Sequence, residues 1–524
     1  MRKTTAKKYG FFMCLSMAIG TIIGTGIFFK NEAVYGFTNG NGILGLIAWL
    51  IGGIMAVSFG LSFMEISSAK QDSNSGVSLY AKIFGGKRFG HVVRSAMNHV
   101  YLPITAAVIA YYTTKASIWA FGGGLVAEEI FKAKVGGHLN YELILATFSI
   151  LYSLLLVYIC SYQEKVGKWI QIVTVILKVF PLILIGLIGL FFINNDPNAF
   201  SESGLGDHSK YPLVAGKSGF EMILMAMPGI LFAFDGFLAT TYIQKDVVKP
   251  EKNIPLALVV GLTAVTILYL LVSIGTLNLD ASGSVAAAAG KIFNSPLANK
   301  IFERIIFFFI FISAFGALNG YHFSLTKLSR SSIEDNFGFV GKKANKLATK
   351  TSFERATFLY AMVITLFWAI VMAVPTIFTD LDFYGFISDA GVVLAFLMYG
   401  SIIGLGLYNR YTKKVKARQY WYFIPTAIIS TICIAFIMGY NIYSYFLNAI
   451  ESGASAGPII RIILLLFILI CPWIGWWMKE GSPSVVIPIT NSSDNNPPVA
   501  EAIANVTGQE KPAVNNQKEI KQRK

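Results

Sequence analysis

A chain of 524 residues that is 55% apolar and 14% aromatic, with a mean hydropathy of +0.60, is not a set of water-soluble domains. Its formal net charge of +15 follows the loops between apolar runs, which suits anionic lipid headgroups and leaves nucleic acid no place as a partner. Cys14, Cys160, Cys433 and Cys471 lie inside apolar runs with no CxxC and no histidine at ligand spacing, so no disulfide framework, metal site or cofactor is expected.

Residues 1–8 carry Arg2, Lys3, Lys7 and Lys8 and then give way to an apolar run. The pattern superficially matches a signal peptide, but no A-x-A-like cleavage site follows and the run reaches Phe29, so it counts as the first span. A span needs roughly 20 apolar residues to cross a ~30 Å hydrocarbon core. Twelve are expected, near 9–29, 42–66, 97–120, 141–161, 168–193, 220–243, 255–277, 301–324, 357–378, 385–408, 421–444 and 458–478. The fold class is therefore an all-α polytopic membrane protein: a core over 9–408, two further helices over 421–478, and a polar tail over 484–524 whose composition predicts disorder. With both termini in the cytoplasm, 25 Lys and Arg residues fall in the N-terminal segment and inner loops against seven in the outer loops. That asymmetry obeys the positive-inside rule for a multi-pass protein of the cell membrane.

The first span reads Ala18-Ile19-Gly20-Thr21-Ile22-Ile23-Gly24-Thr25-Gly26-Ile27-Phe28. Each interior glycine costs about 1 kcal/mol of helix propensity against alanine. Close helix packing accounts for the GxxxG pair Gly20 and Gly24; Gly26 lies on another face, and local unwinding explains it better. The sixth span, Met227-Pro228-Gly229-Ile230-Leu231-Phe232-Ala233-Phe234-Asp235-Gly236-Phe237, places a proline, two glycines and a carboxylate in one apolar run. Non-helical backbone at membrane depth persists only where protein or a water-filled cavity satisfies its amides. Interrupted helices in corresponding positions of two halves point to a transporter site, since half-helix N-termini offer N–H groups to an anion and broken C-termini offer carbonyls to a cation. Spans one and six as the interrupted pair imply a five-plus-five inverted repeat, and one such site suits a zwitterion.

Lys178 stands near the middle of span five, where a lysine costs about 2.5–3.5 kcal/mol on insertion scales, so it should face the protein interior. Glu65 reads as an ordinary acid at a span end, Lys115 as a snorkelling lysine, and the five histidines as scattered, with no HExxH.

Gly20-Thr21-Ile22-Ile23-Gly24-Thr25-Gly26-Ile27-Phe28 and Phe232-Ala233-Phe234-Asp235-Gly236-Phe237 resemble the first and sixth helices of the amino acid, polyamine and organocation superfamily of permeases. Lys249-Pro250-Glu251-Lys252-Asn253-Ile254-Pro255, Gly316-Ala317-Leu318-Asn319-Gly320, and Ser75-Gly76 to Tyr80 with Phe84-Gly85 extend the resemblance over about 9–410. Departures at Ser75-Gly76, Lys245-Asp246 and Ser329-Arg330 touch the cytoplasmic gate more than the substrate class. The resemblance implies a secondary transporter, not an enzyme, moving amino acids by symport or exchange. It implies a substrate carboxylate on the amides around Thr25, Gly26 and Ile27, with the ammonium facing carbonyls of Ile22, Phe232, Ala233 and Asp235. Gly24, Phe234 and Gly236 belong to the same unwound segments, and Phe232 is expected to close over the substrate. It also places Lys178 where sodium-dependent relatives hold their ion, with Ser313 as the facing partner and a proton as the coupling ion. A polyamine or cation carrier would want several carboxylates where only Asp235 is evident; a nutrient sensor on the same fold is the remaining alternative. A membrane enzyme would need a constellation of nucleophile, base and metal or lipid-binding residues, and none is present.

Overall fold

The computed structural model describes residues 9–69, 73–122, 125–191, 216–293, 295–379, 383–451 and 456–480. The eight-residue N-terminal segment and the 484–524 tail read from composition lie outside the described residues. In chain order the helices are α1 (Phe11–Ile22), α2 (Gly26–Phe37), α3 (Gly42–Ile66), α4 (Val77–Gly85), α5 (Lys87–Ser95), α6 (Leu102–Gly122), α7 (Leu125–Lys134), α8 (His138–Tyr162) and α9 (Glu164–Phe191). They continue as α10 (Gly219–Phe234), α11 (Pro250–Leu279), α12 (Val285–Ala289), α13 (Pro296–Glu334), α14 (Gly338–Lys350), α15 (Phe353–Phe378), α16 (Phe383–Thr412), α17 (Phe423–Glu451) and α18 (Ala456–Ile470). Among the described residues the only strand-like pairing is a single bridge between Tyr9 and Val247.

Eleven helices among the described residues are long and apolar enough to cross a membrane, against the twelve expected. The difference is α6, a 21-residue helix whose Tyr111, Tyr112, Thr113, Thr114 and Lys115 dilute its hydropathy. It packs along α13 and α8 and is buried over most of its length, so its neighbours rather than lipid meet those polar groups. The first span also runs beyond Phe29, because α2 continues to Phe37 and carries Lys30 on a helix rather than in a loop.

The interrupted runs stand at the centre. Helical geometry stops after Ile22, whose successor Ile23 has ψ of 93°, and resumes at Gly26. The sixth run begins firmly, with a capping box in which Ser218 and Glu221 satisfy each other's backbone amides. It ends at Phe234, and a 3₁₀ helix takes over at Phe237–Asp246. Between these pieces Gly236 has φ of 86°, and a Cβ there would lie 2.9 Å from the Tyr321 hydroxyl and 3.0 Å from Thr21 Cβ. Only glycine meets both demands without strain. Long uninterrupted helices, α9, α11 and α13 chief among them, surround this crossing, while α17 and α18 lie at the periphery and bury the smallest share of their surface.

Candidate functional site

A helix that stops inside a membrane leaves carbonyls at its C-terminal end and N–H groups at the start of the next piece. At the end of α1 those carbonyls meet donors from three other helices. Lys178 Nζ, fully buried on α9, donates to Gly20 O at 2.8 Å, Ile23 O at 2.7 Å and the backbone carbonyl of Ser313 at 3.4 Å. The Ser313 hydroxyl turns instead to Gly24 O at 3.2 Å. Ser313 therefore faces Lys178 through its main chain. Pro181 sits one turn beyond Lys178 in α9 and removes a backbone donor from that helix. An ammonium at a helix C-terminus also meets the negative end of the helix dipole.

The third donor is Tyr269 on α11, whose hydroxyl reaches Ile22 O at 3.1 Å and Ala233 O at 3.0 Å. One side chain thus ties the first break to the sixth. Contact between the breaks is otherwise direct, since a Cβ at Gly26 would lie 2.4 Å from Ala233 Cα, and one at Gly24 would lie 2.7 Å from Ala317 Cβ. The first N–H groups of α2, at Gly26 and Ile27, have no intrahelical acceptor by construction. Beside them the buried Thr25 hydroxyl has no hydrogen-bond partner.

The sixth break satisfies itself from a shorter range. Asp235 is buried; it accepts the Gly236 N–H at 2.7 Å and the Tyr101 hydroxyl. Asp235 N–H returns to Phe232 O at 3.2 Å, and Thr21 Oγ1 donates to Gly236 O at 2.7 Å. Tyr101 ends a π-helical turn, Ala96–Tyr101, that leads into α6, a local widening of the helix often found at functional positions. Tyr101 and Tyr321 lie 3.4 Å apart at their hydroxyls, and with Tyr242 and Tyr399 they enclose a cavity of only about 10 Å³ beside Gly236.

Phe232 is buried, and Lys30 Nζ lies 5.3 Å from its ring centroid while pairing with Asp389 of α16 at 3.0 Å. Lys30 and Asp389 also line a cavity of about 540 Å³. On the opposite, basic face a cavity of about 560 Å³ is crossed by ion pairs: Lys327 with Glu164 at 2.9 Å and Asp246 at 3.1 Å, and Glu480 with Lys82 at 2.6 Å. Burial works against the charge on Glu480, but the Lys82 hydrogen bond and the charges of Lys82, Arg94 and His91 hold its carboxyl below the usual carboxylate range.

All twelve positions expected from the sequence, Ile22, Gly24, Thr25, Gly26, Ile27, Phe232, Ala233, Phe234, Asp235, Gly236, Lys178 and Ser313, fall at or against this crossing. Sequence reasoning missed Tyr269, Lys30 and Asp389. A tyrosine in an apolar run carries no local signal, whereas the acid of Phe383–Thr412 and the cation of Gly26–Phe37 could have been flagged as charges inside spans. Glu65 is not an ordinary surface acid: it is buried and accepts from Arg410 at 2.7 Å and Tyr420 N–H at 3.0 Å.

A family model described as amino acid permease matches residues 9–469. The chain is 26% identical to an uncharacterized protein of Mycoplasma pneumoniae, over 61% of this chain and 59% of that protein. It is 27% identical to the serine/threonine exchanger SteT of Bacillus subtilis, over 63% of this chain and 68% of that protein. It is 24% identical to the b(0,+)-type amino acid transporter 1 of Mus musculus, over 82% of each chain.

Proposed function

We propose, on the footing that the chain belongs to the amino acid permease family, that it carries amino acids across the cell membrane by alternating access between its two faces. The basic face is the cytoplasmic one, both termini lie there, and the core is the five-plus-five inverted repeat with α1/α2 and α10 with its 3₁₀ continuation as the paired interruptions. The observation that carries the reading is the crossing itself. Two half-helix ends meet in contact, with orphan amides at Gly26 and Ile27 and the unpartnered Thr25 hydroxyl on one side, and the carbonyls of Ile22, Phe232 and Ala233 on the other. A carboxylate suits the amide end and an ammonium suits the carbonyl end. Ile22 and Ala233 already accept from Tyr269, yet each carbonyl retains a second lone pair for the substrate. Serine and threonine, which SteT is named for exchanging, head the substrates to try.

Coupling belongs to Lys178. Its ammonium supports the end of α1 through Gly20 and Ile23, so the proton it carries favours the present position of that half-helix, and loss of the proton releases it. Uptake into liposomes then needs no sodium and rises with an inward proton gradient. Lys178→Ala should lower uptake by about 10- to 100-fold, the worth of a charge-assisted contact, and should erase the gradient dependence while some binding survives. Sodium-dependent uptake, or an alanine variant still driven by protons, removes Lys178 from the coupling. Flux of polyamines with none of amino acids overturns the substrate class, and binding without flux makes the protein a sensor.

A further inference from the structure

The cavity of about 540 Å³ lined by Lys30 and Asp389 has a size that suits a small molecule, and its walls come from both the core and the peripheral helices. The core supplies the floor, Lys30 and the Pro228-Gly229 turn of α10, together with Asp389. Helix α17 supplies Asn441, Ser444 and Asn448, spaced by three and four residues and so on one helical face. Helix α18 supplies Arg461, whose guanidinium lies 5.5 Å from the Phe386 ring centroid.

The charges do not balance. Lys30 and Asp389 pair with each other at 3.0 Å, while Arg461 has no carboxylate within ion-pair distance among the described residues. Arg461 stands in the second turn of α18 and lines this cavity, so its charge is open to a ligand there. An anion alone would answer Arg461 but would face Asp389; a cation alone would satisfy Asp389 but face Arg461 and Lys30. A zwitterion with its two charges a few ångströms apart satisfies both, and the two asparagines and Ser444 offer donors and acceptors to a side chain.

We propose that this cavity is an entry subsite for an α-amino acid, with Arg461 on the carboxylate and Asp389 on the ammonium, and that its occupation draws Asp389 away from Lys30. Lys30 covers Phe232, so loading the subsite loosens the lid over the central crossing. The outermost helices, α17 and α18, thereby take part in transport rather than only flanking it. The proposal rests on the amino acid transport reading and names where that substrate first binds.

The test is a thiol-protection assay on the reconstituted full chain. Ser444→Cys is introduced beside Cys433→Ser and Cys471→Ser, and labelling by a charged methanethiosulfonate is timed with each of the common amino acids, in the intact core and in Gly26→Val, where the central crossing is blocked. One or more amino acids should slow labelling several-fold in both backgrounds, Arg461→Gln should abolish the protection, and Arg461→Lys should restore part of it. In the intact core without the reporter, Arg461→Gln should raise KM for external substrate roughly tenfold with kcat little changed. Protection confined to the core with Gly26, protection undiminished in Arg461→Gln, or protection by phosphatidylglycerol vesicles and by no amino acid would each overturn the subsite. Flux of amino acids without protection defeats the subsite alone; protection without flux defeats the transport reading and leaves the subsite standing.

Discussion

The two breaks solve the same problem with opposite charges. At the end of α1 the exposed groups are carbonyls, and a cation from another helix, Lys178, answers them over a sequence separation of 155 residues or more. At Gly236 the exposed group is an N–H, and the neighbouring carboxylate of Asp235 answers it from one residue away. Lys178 sits at the helix end whose dipole it complements, while Asp235 stands between the C-terminal end of α10 and the N-terminal end of the 3₁₀ helix. The difference lies in who holds the partner: the first break is held by its surroundings and moves only if they let go, whereas the sixth carries its own cap and needs the surroundings mainly to position that cap through Tyr101. Under the proposed coupling, loss of a proton from Lys178 would bear on the first half-helix and leave the sixth with its own bonds.

The comparison breaks most completely if the two interruptions are pushed apart. Gly26→Val places methyl groups against Ala233, where even a Cβ would lie 2.4 Å from its Cα. Overpacking of that order costs about 1–3 kcal/mol, so amino acid affinity should fall by about 5- to 150-fold in a thermal-shift or binding assay, while insertion into the membrane is retained. Wild-type affinity in this variant would show that the crossing is not the site.

Tyr101→Phe tests the self-capped break. It removes one hydrogen bond to a buried carboxylate, worth about 1.5–3 kcal/mol, and should lower transport by about tenfold or more. Because the Gly236 cap stays, proton dependence should persist, in contrast to Lys178→Ala. Loss of the proton dependence in both variants would merge the two breaks into one titrating unit.

Tyr269→Phe sharpens the comparison by cutting the one hydroxyl that the breaks share. One hydroxyl proton shared between two carbonyls is lost, worth about 1 kcal/mol, so a drop of about fivefold in affinity is expected, with both proton dependence and the Asp235 cap preserved. An unchanged affinity would mean that the breaks are held independently.

Glu480 gives the smallest effect, at the edge of the cytoplasmic cavity. Glu480→Gln should cost about 1 kcal/mol or less, since the ion pair is partly exposed, and should shift the thermal midpoint slightly without changing substrate preference. The sign with pH follows from the lowered carboxyl: the contribution of the wild-type residue is complete above the ordinary carboxylate range and is lost as pH falls through and below it. A midpoint difference between wild type and Glu480→Gln that grows on acidification would contradict the ion pair.

Both breaks were legible in the chain because their signal is local. Three glycines in seven residues, or a proline, two glycines and an aspartate in one apolar run, conflict with a continuous helix whatever surrounds them. Lys178 was legible for a related reason, as the cost of a charge at membrane depth depends on the span and not on the partner. Hydropathy is weakest at α6, where tyrosines, threonines and Lys115 lie on a helix that other helices largely cover. The same logic misplaced Lys30, since the end of an apolar run is not the end of a helix once α16 supplies Asp389 to pair with it.

Hydropathy, the loop charges and the helix-breaking residues are sums over neighbours in the chain, so the sequence by itself determined that this protein spans a membrane many times and where its helices part. Which groups then satisfy the parted ends is a matter of distances between residues far apart in the chain. Tyr269 bridges Ile22 and Ala233, and Lys30 meets Asp389 across a separation of 359 residues. No local pattern encodes those meetings, because a tyrosine or a lysine has the same propensity whether or not a partner waits for it. Only the packing of α11 and α16 against the crossing decided them, since a hydrogen bond exists only where donor and acceptor come within about 3 Å.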